Sequence, residues 1–279
     1  MSETVKQHGH PHFFKLIDGE FHPSGLARSP WDRQAIAGGP ISAILAHAAL
    51  DASLDSDFTI ARHSIDIFGK VPFAPLRFQI EALRDGRQTK LHRITMLADD
   101  KPVAQAHVLR VRQAETPVFA PPCPYPAPDA VGETNTDGRF GMSGALQLRF
   151  VEGSAGIPGR AVAWTAMSAD IVLDHPPSDF ERAAIFADYG NGFGNATDPA
   201  EWSFANLDIT MQFLRMPKGP WMLIDAETHM AGEGHGTVRN IFADEHGIFA
   251  QGFQTIFVAP GYLSKGLPPA FTADGVIKR

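Results

Sequence analysis

The chain is poor in the residues that several common functions require. Cys123 is the only cysteine in 279 residues, which excludes an internal disulfide and suits a reducing, cytoplasmic setting. Hydrophobic residues make up 44% of the sequence, yet no stretch approaches the roughly twenty consecutive apolar residues of a membrane-crossing helix. The opening MSETVKQHGHPHFF has neither a basic n-region nor an apolar core, so no secretory signal is expected. Lys and Arg number 24 against 31 Asp and Glu, for a formal net charge of −7. That balance argues against a general affinity for nucleic acid. It leaves room for an anionic substrate met by a local basic rim.

Several catalytic signatures are missing as well. Gly141-Met142-Ser143-Gly144 is not a G-x-S-x-G elbow and does not stand between a strand and a helix. Gly190-Asn191-Gly192-Phe193-Gly194 ends a helical pattern where a dinucleotide loop would open one. No H-E-x-x-H occurs, and His229, His235 and His246 are isolated enough to read as surface or turn residues, so no metal is expected. His8, His10 and His12 have no partners at a ligand spacing and read as a mobile terminus. Cys123 lies among prolines, a poor place for a nucleophile.

What is present reads as helix and antiparallel strand in alternation. From 206 to 258, short runs rich in β-branched and aromatic residues are separated by turn signals at 216–220, 232–236 and 244–247. Just before them, Ser178 is a good N-cap, with Asp179 and Glu181 in the first turn. Phe180, Ala183, Ala184 and Ala187 follow at helical spacing, until glycines at 190, 192 and 194 stop the pattern. Residues 13–27 alternate about an Asp18-Gly19 turn, a hairpin expected near a substrate entrance. Pro40 suits the first turn of a second helix carrying Ile41, Ile44, Leu45 and Ala48, in which His47 reads as a core or interface residue. Residues 61–112 read as strands again, with a turn at Arg84-Asp85-Gly86.

The two helix-then-strand blocks are related. Residues 114–137 hold six prolines and no period, which marks a stiff, extended linker. Across it, the segment around Asp66 lies on that around Asp208, so that Pro75 falls on Pro217 and ADDKPVAQ on ADEHGIFAQ. Leu146 to Phe150 and Ala161 to Met167 form two strands, the first matching the hairpin that opens the chain. The tail after Val258 has no period and is expected to pack irregularly.

This order of elements resembles the double-hotdog acyl-CoA thioesterases of type II. The resemblance implies an α+β fold, with two central helices each wrapped by an antiparallel sheet and the sheets joined edge to edge. It implies an N-terminal hotdog at 1–113, the linker at 114–137, and a C-terminal hotdog with an irregular tail at 138–279. Carried over by position, the family's catalytic Asp falls on Asp188, its small polar residue on Asn206 and its glutamine on Gln254. Each has a plainer reading: a helix-end residue, a turn residue, and a polar residue on an outer strand face. Taken together, a carboxylate and two amides can handle one water, with Asp188 as general base and the amides restricting that water.

Gly38 and Gly39 match the turn that leads into the family's first central helix. Glycines there let a substrate approach unpaired N–H groups at the positive helix end; without the family, a tight turn is the preferred reading. Arg84 and Arg87, with Lys90 and Arg93, could meet coenzyme A phosphates as point charges, or simply face solvent on the sheet. The implied substrate is an acyl-CoA, with no cofactor, no nucleic acid and no membrane span; a homo-oligomer stays open. Two alternatives stand: a hotdog hydratase or dehydratase, whose usual His and acidic partner are not apparent at the expected helix, and a non-catalytic acyl-thioester-binding protein.

Overall fold

The computed structural model describes residues 10–30, 32–51, 56–134, 145–154, 157–199 and 201–260. The first half contains β1 (His12–Ile17), β2 (Glu20–Pro23), α1 (Gly38–Asp51), β3 (Phe58–Ile67), β4 (Arg77–Asp85), β5 (Thr89–Ala98) and β6 (Lys101–Arg112). The second contains β7 (Leu146–Glu152), β8 (Ala161–Met167), β9 (Asp170–Val172), α2 (Asp179–Ala187), α3 (Gly190–Phe193), β10 (Trp202–Phe213), β11 (Met222–Met230), β12 (His235–Asp244) and β13 (Gly247–Pro260).

One antiparallel sheet carries both halves. Its order is β4-β5-β6-β3-β10-β13-β12-β11-β8-β7 among the described residues. The join is the β3–β10 pair, in which Asp66 stands directly opposite Asp208. These are the two residues that the internal repeat superposes, so the pseudo-twofold axis relating the halves passes through this pair. Joining the sheets there protects two edges that would otherwise expose unpaired backbone.

The helices lie inside the curve of the sheet. α1 is apolar nearly all round, with Ile41, Ala43, Ile44, Leu45, Ala46 and Ala49 all buried. Such a helix has no solvent face because sheet and partner helix enclose it. α2 packs Ala183, Ala184, Ile185 and Ala187 into the same core. Its start is secured by a capping box between Ser178 and Glu181, an arrangement typically contributing about 1 kcal/mol.

The opening hairpin forms at the expected turn, where Asp18 (φ 51°) and Gly19 (φ 82°) take the left-handed conformations that a two-residue hairpin demands. It does not enter the large sheet as its counterpart β7–β8 does. It meets that sheet beside β4 through a backbone bridge between Phe21 and Leu76 and through side chains, Glu20 against Arg77 and Phe21 against Phe78. Instead β1 pairs in parallel with β9 of the other half, His12 opposite Asp170 and Phe14 opposite Val172. This overturns the mobile-terminus expectation for His10 and His12: His12 begins β1, and His10 Nε2 lies 3.4 Å from an Asp170 carboxylate oxygen. A three-residue strand from the distant half leaves no local signal. His8, the 141–144 stretch and the tail from 261 onward lie outside the described residues.

The proline-rich segment is a strap rather than a free spacer. Its carbonyls, which proline leaves as acceptors, take hydrogen bonds from the second half. Ile248 N–H donates to Pro121 O at 3.1 Å and Trp164 Nε1 to Pro126 O at 2.9 Å. Cys123, Tyr125 and Val131 pack over Val162, Trp164 and Leu223 on the outer face of the sheet. Tyr125 Oη donates to Asp225 Oδ2 at 3.0 Å, and Arg160 Nε reaches the other oxygen at 2.8 Å.

Candidate active site

The site begins where α2 stops. Asp188 is the C-cap of α2, and a short turn carries the chain into α3. That turn lies over the inner face of the sheet and against the first residues of α1. Contact with α1 is so close that a Cβ on Gly38 would sit 2.0 Å from Asp188 Oδ1, and one on Gly39 3.1 Å from the Ile185 carbonyl. Glycine at both positions is what lets the amino end of α1 reach Asp188, and the Gly39 N–H hydrogen-bonds the Asp188 carboxyl.

Below the turn, Asn206 Nδ2 donates to Asp188 Oδ1 at 2.6 Å and to the Asp188 carbonyl at 3.2 Å. Asn206 does not start its strand, as the sequence suggested. It lies inside β10, at a register shift between 206 and 208 that re-aims its side chain. Gln254, on β13, is buried on the inner face, and its Nε2 donates to Ala187 O at 2.8 Å. The structure therefore brings Asp188, Asn206, Gln254, Gly38 and Gly39 together.

Burial is the dominant influence on Asp188. It raises the carboxyl pKa from 3.8 to about 6, partly offset by the Asn206 amide and the Gly39 N–H. Burial, and then the Asp188 charge, likewise push the neighbouring Tyr189 hydroxyl well above its ordinary value. A carboxyl poised near 6 is ionised at neutral pH and still basic enough to take a proton from water.

One residue escaped the sequence reading. Asn240, on β12, is buried, and its Nδ2 lies 3.4 Å from Gln254 Oε1. It presses on the same turn, since a Cβ on Gly190 would sit 2.0 Å from Asn240 Oδ1. A signal was present: Asn240 interrupts an inward row with Val238 and Phe242, where a polar residue needs a reason.

Arg84 and Arg87 are not brought to this place. They are exposed at the β4–β5 tip. Neighbouring Lys90 pairs in register with Arg110, whose guanidinium bonds Ala49 O near the carboxyl end of α1. Gly38 is at the other end of that 14-residue helix, about 20 Å away.

The pseudo-twofold axis predicts a counterpart contact at the far end of the helix pair. There His47 Nδ1 of α1 lies 2.7 Å from Glu181 Oε1 of α2. A His and acid pair does exist on these helices, contrary to the sequence reading, which could not see across the linker. The same Glu181 carboxylate closes its own helix start, with Ser178 N–H donating at 2.7 Å and Ser178 Oγ at 2.6 Å. At the Asp188 end, the first turn of α1 contains no acidic residue to occupy it. The two ends are related by symmetry and differ in chemistry.

Two antiparallel units that each enfold a helix, joined through β3 and β10, make this a double hotdog protein. Solved structures agree on the fold. A TesB protein of Mycobacterium avium subspecies paratuberculosis superposes with TM-score 0.67 at 16% identity, covering 88% of this chain and 96% of that one. A hot dog fold protein of unknown function from Alicyclobacillus acidocaldarius gives 0.68 at 17%, over 88% and 95%. The acyl-CoA thioesterase II TesB2 of Mycobacterium marinum gives 0.63 at 16%, over 91% and 96%. No curated protein matches the sequence. Family models do: the acyl-CoA thioesterase N-terminal domain matches residues 27–111 and the C-terminal domain residues 117–258. The chain belongs to the acyl-CoA thioesterase family.

Proposed function

We propose that the chain hydrolyses an acyl-CoA by direct attack of a water held at Asp188, Asn206 and Gln254. The observation that carries this reading is the Asp188–Asn206 contact of 2.6 Å, at a carboxyl raised to about 6 beside the amino end of α1. Asp188 takes one proton from the water as its oxygen bonds to the thioester carbon. Asn206 holds the carboxylate in place, while Gln254 limits the freedom of the water. The carbonyl oxygen gains negative charge near the Gly38-Gly39 start of α1, where the helix dipole and backbone N–H groups favour an anion. The carbon–sulfur bond then breaks, and coenzyme A leaves as a thiolate and is protonated. The other product is the free acid, and neither a covalent intermediate nor a metal is required.

Arg84 and Arg87 would act only as outlying charges for an approaching anionic substrate. We place the reaction in the cytoplasm, a reducing setting that a chain with a single cysteine suits. Free thiol released from a panel of acyl-CoAs, followed with a thiol-reactive dye, tests the activity. Hydration of an enoyl thioester, or binding alone, releases no thiol. A panel that gives none above the uncatalysed rate removes the reading.

A further inference from the structure

The proposed mechanism uses two amides, yet three carboxamides from three adjacent strands reach the same turn. Asn206 of β10 holds Asp188, Gln254 of β13 holds the Ala187 carbonyl, and Asn240 of β12 lies against Gly190. Asn206 and Asn240 also share an oddity. Their Oδ1 atoms are buried with no hydrogen-bond partner, and few other polar atoms among the described residues are left so. A buried acceptor without a donor is destabilising, which a fold tolerates more readily where a ligand or water supplies the donor.

Gln254 itself poses a question of orientation. Its amide is nearly symmetric in shape and can present either its oxygen or its nitrogen in a given direction. Ala187 O requires a donor, and so draws Nε2 to one side. Asn240 Nδ2 is a donor, and so draws Oε1 to the other. The two contacts select one of the two orientations and leave the second Nε2 hydrogen for the site.

We propose that Asn240 is a positioning residue for the hydrolysis: it fixes the Gln254 amide so that Nε2 presents its remaining hydrogen to the water or the thioester oxygen. Asn240 touches no reacting atom in this scheme and acts through Gln254. Gly190 belongs to the device, because any side chain there would displace the Asn240 amide. The inference rests on the Asp188, Asn206 and Gln254 reading.

Four variants decide the matter, assayed for thiol release alongside the melting temperature. Asn240→Ala is expected to lower kcat roughly 10-fold with KM changed less than 2-fold. In the Gln254→Ala background the same change should cost less than 2-fold, since the residue it acts through is gone. Asn240→Asp keeps the shape but puts acceptors where Gln254 Oε1 needs a donor. It should therefore lower kcat at least as far as Asn240→Ala while leaving the fold intact, which keeps the test usable if the alanine variant is unstable. A purely structural Asn240 predicts lower melting temperatures with kcat per folded molecule unchanged, and that result overturns the proposal. Equal losses from Asn240→Ala in both backgrounds also overturn it. The underlying reading fails separately, if Gln254→Ala itself leaves kcat unchanged.

Discussion

Asp188 combines two effects that oppose each other. Its carboxyl is raised from 3.8 to about 6, so between those values the folded chain holds a proton that the unfolded chain has released. Stability contributed by this group is therefore greatest at acid pH and falls as pH rises through about 6. In the proposed mechanism activity runs the other way, because Asp188 must be ionised to act as the base. The expected profile for kcat/KM rises with pH to a plateau, with its half-point near 6. Asp188→Asn should lose about 10²–10⁴-fold in turnover and, at pH 7.5, unfold at the same temperature or a higher one. A variant that is less stable but fully active per folded molecule would take Asp188 out of the mechanism and mark it as a helix-end residue. Asp188 and Gln254 were legible as residue types because the family pattern names them. Asn240 left only the signal of a polar residue in an inward row, since the role proposed for it depends on register across three strands, which only the folded sheet defines.

Among the elements, the most exposed to test is the α2–α3 junction. Its tightness comes from glycines that approach polar groups, Gly38 at Asp188 and Gly190 at Asn240. Gly190→Ala requires either the turn or the Asn240 amide to shift, and is expected to cost about 1–3 kcal/mol by overpacking and to lower kcat as well. Denaturant midpoints and kcat measured on one preparation check both. At the other end of the helix pair, burial alone would raise the Glu181 carboxyl, but hydrogen bonds from His47 and Ser178 hold it below its usual value. Its contribution has the ordinary sign for an acid, present at neutral pH and lost as pH falls. His47→Ala should accordingly lower the melting temperature while leaving kcat intact; a matching loss of kcat would implicate that end in catalysis. Helices and strands were readable from period and turn residues. The β1–β9 pairing was not, because a three-residue strand with a partner in the other half has no periodicity to detect.

At the level of the whole molecule, the repeat in the sequence became an axis in the structure. Asp66 and Asp208, matched by laying one half on the other, face each other in the central strand pair. Asp66 is exposed, while Asp208 receives Thr255 N–H and Oγ1, each at 2.8 Å. Asp66→Asn is expected to leave turnover unchanged, and its abolition without loss of fold would count against a site whose side-chain chemistry comes mainly from the second half. The proline-rich segment was legible as a stiff, extended stretch but not as a strap, because proline content reports stiffness and not what its carbonyls touch. Tyr125→Phe removes the hydroxyl from Asp225 and should cost about 1 kcal/mol with kcat unchanged, as thermal melts beside the thiol assay would show.

That strap has a further consequence, for assembly. β3 and β10 meet only after the chain has crossed from one half to the other, and β1 finds β9 only then. Covalent connection turns this meeting into an intramolecular event at an effective concentration in the millimolar range. Cleaved between Val118 and Phe119, which are 90% and 95% exposed, a folded molecule should stay whole at micromolar concentration. After denaturation, its separated pieces should recover activity at a rate that rises with their concentration, while the intact chain recovers at a rate independent of its own.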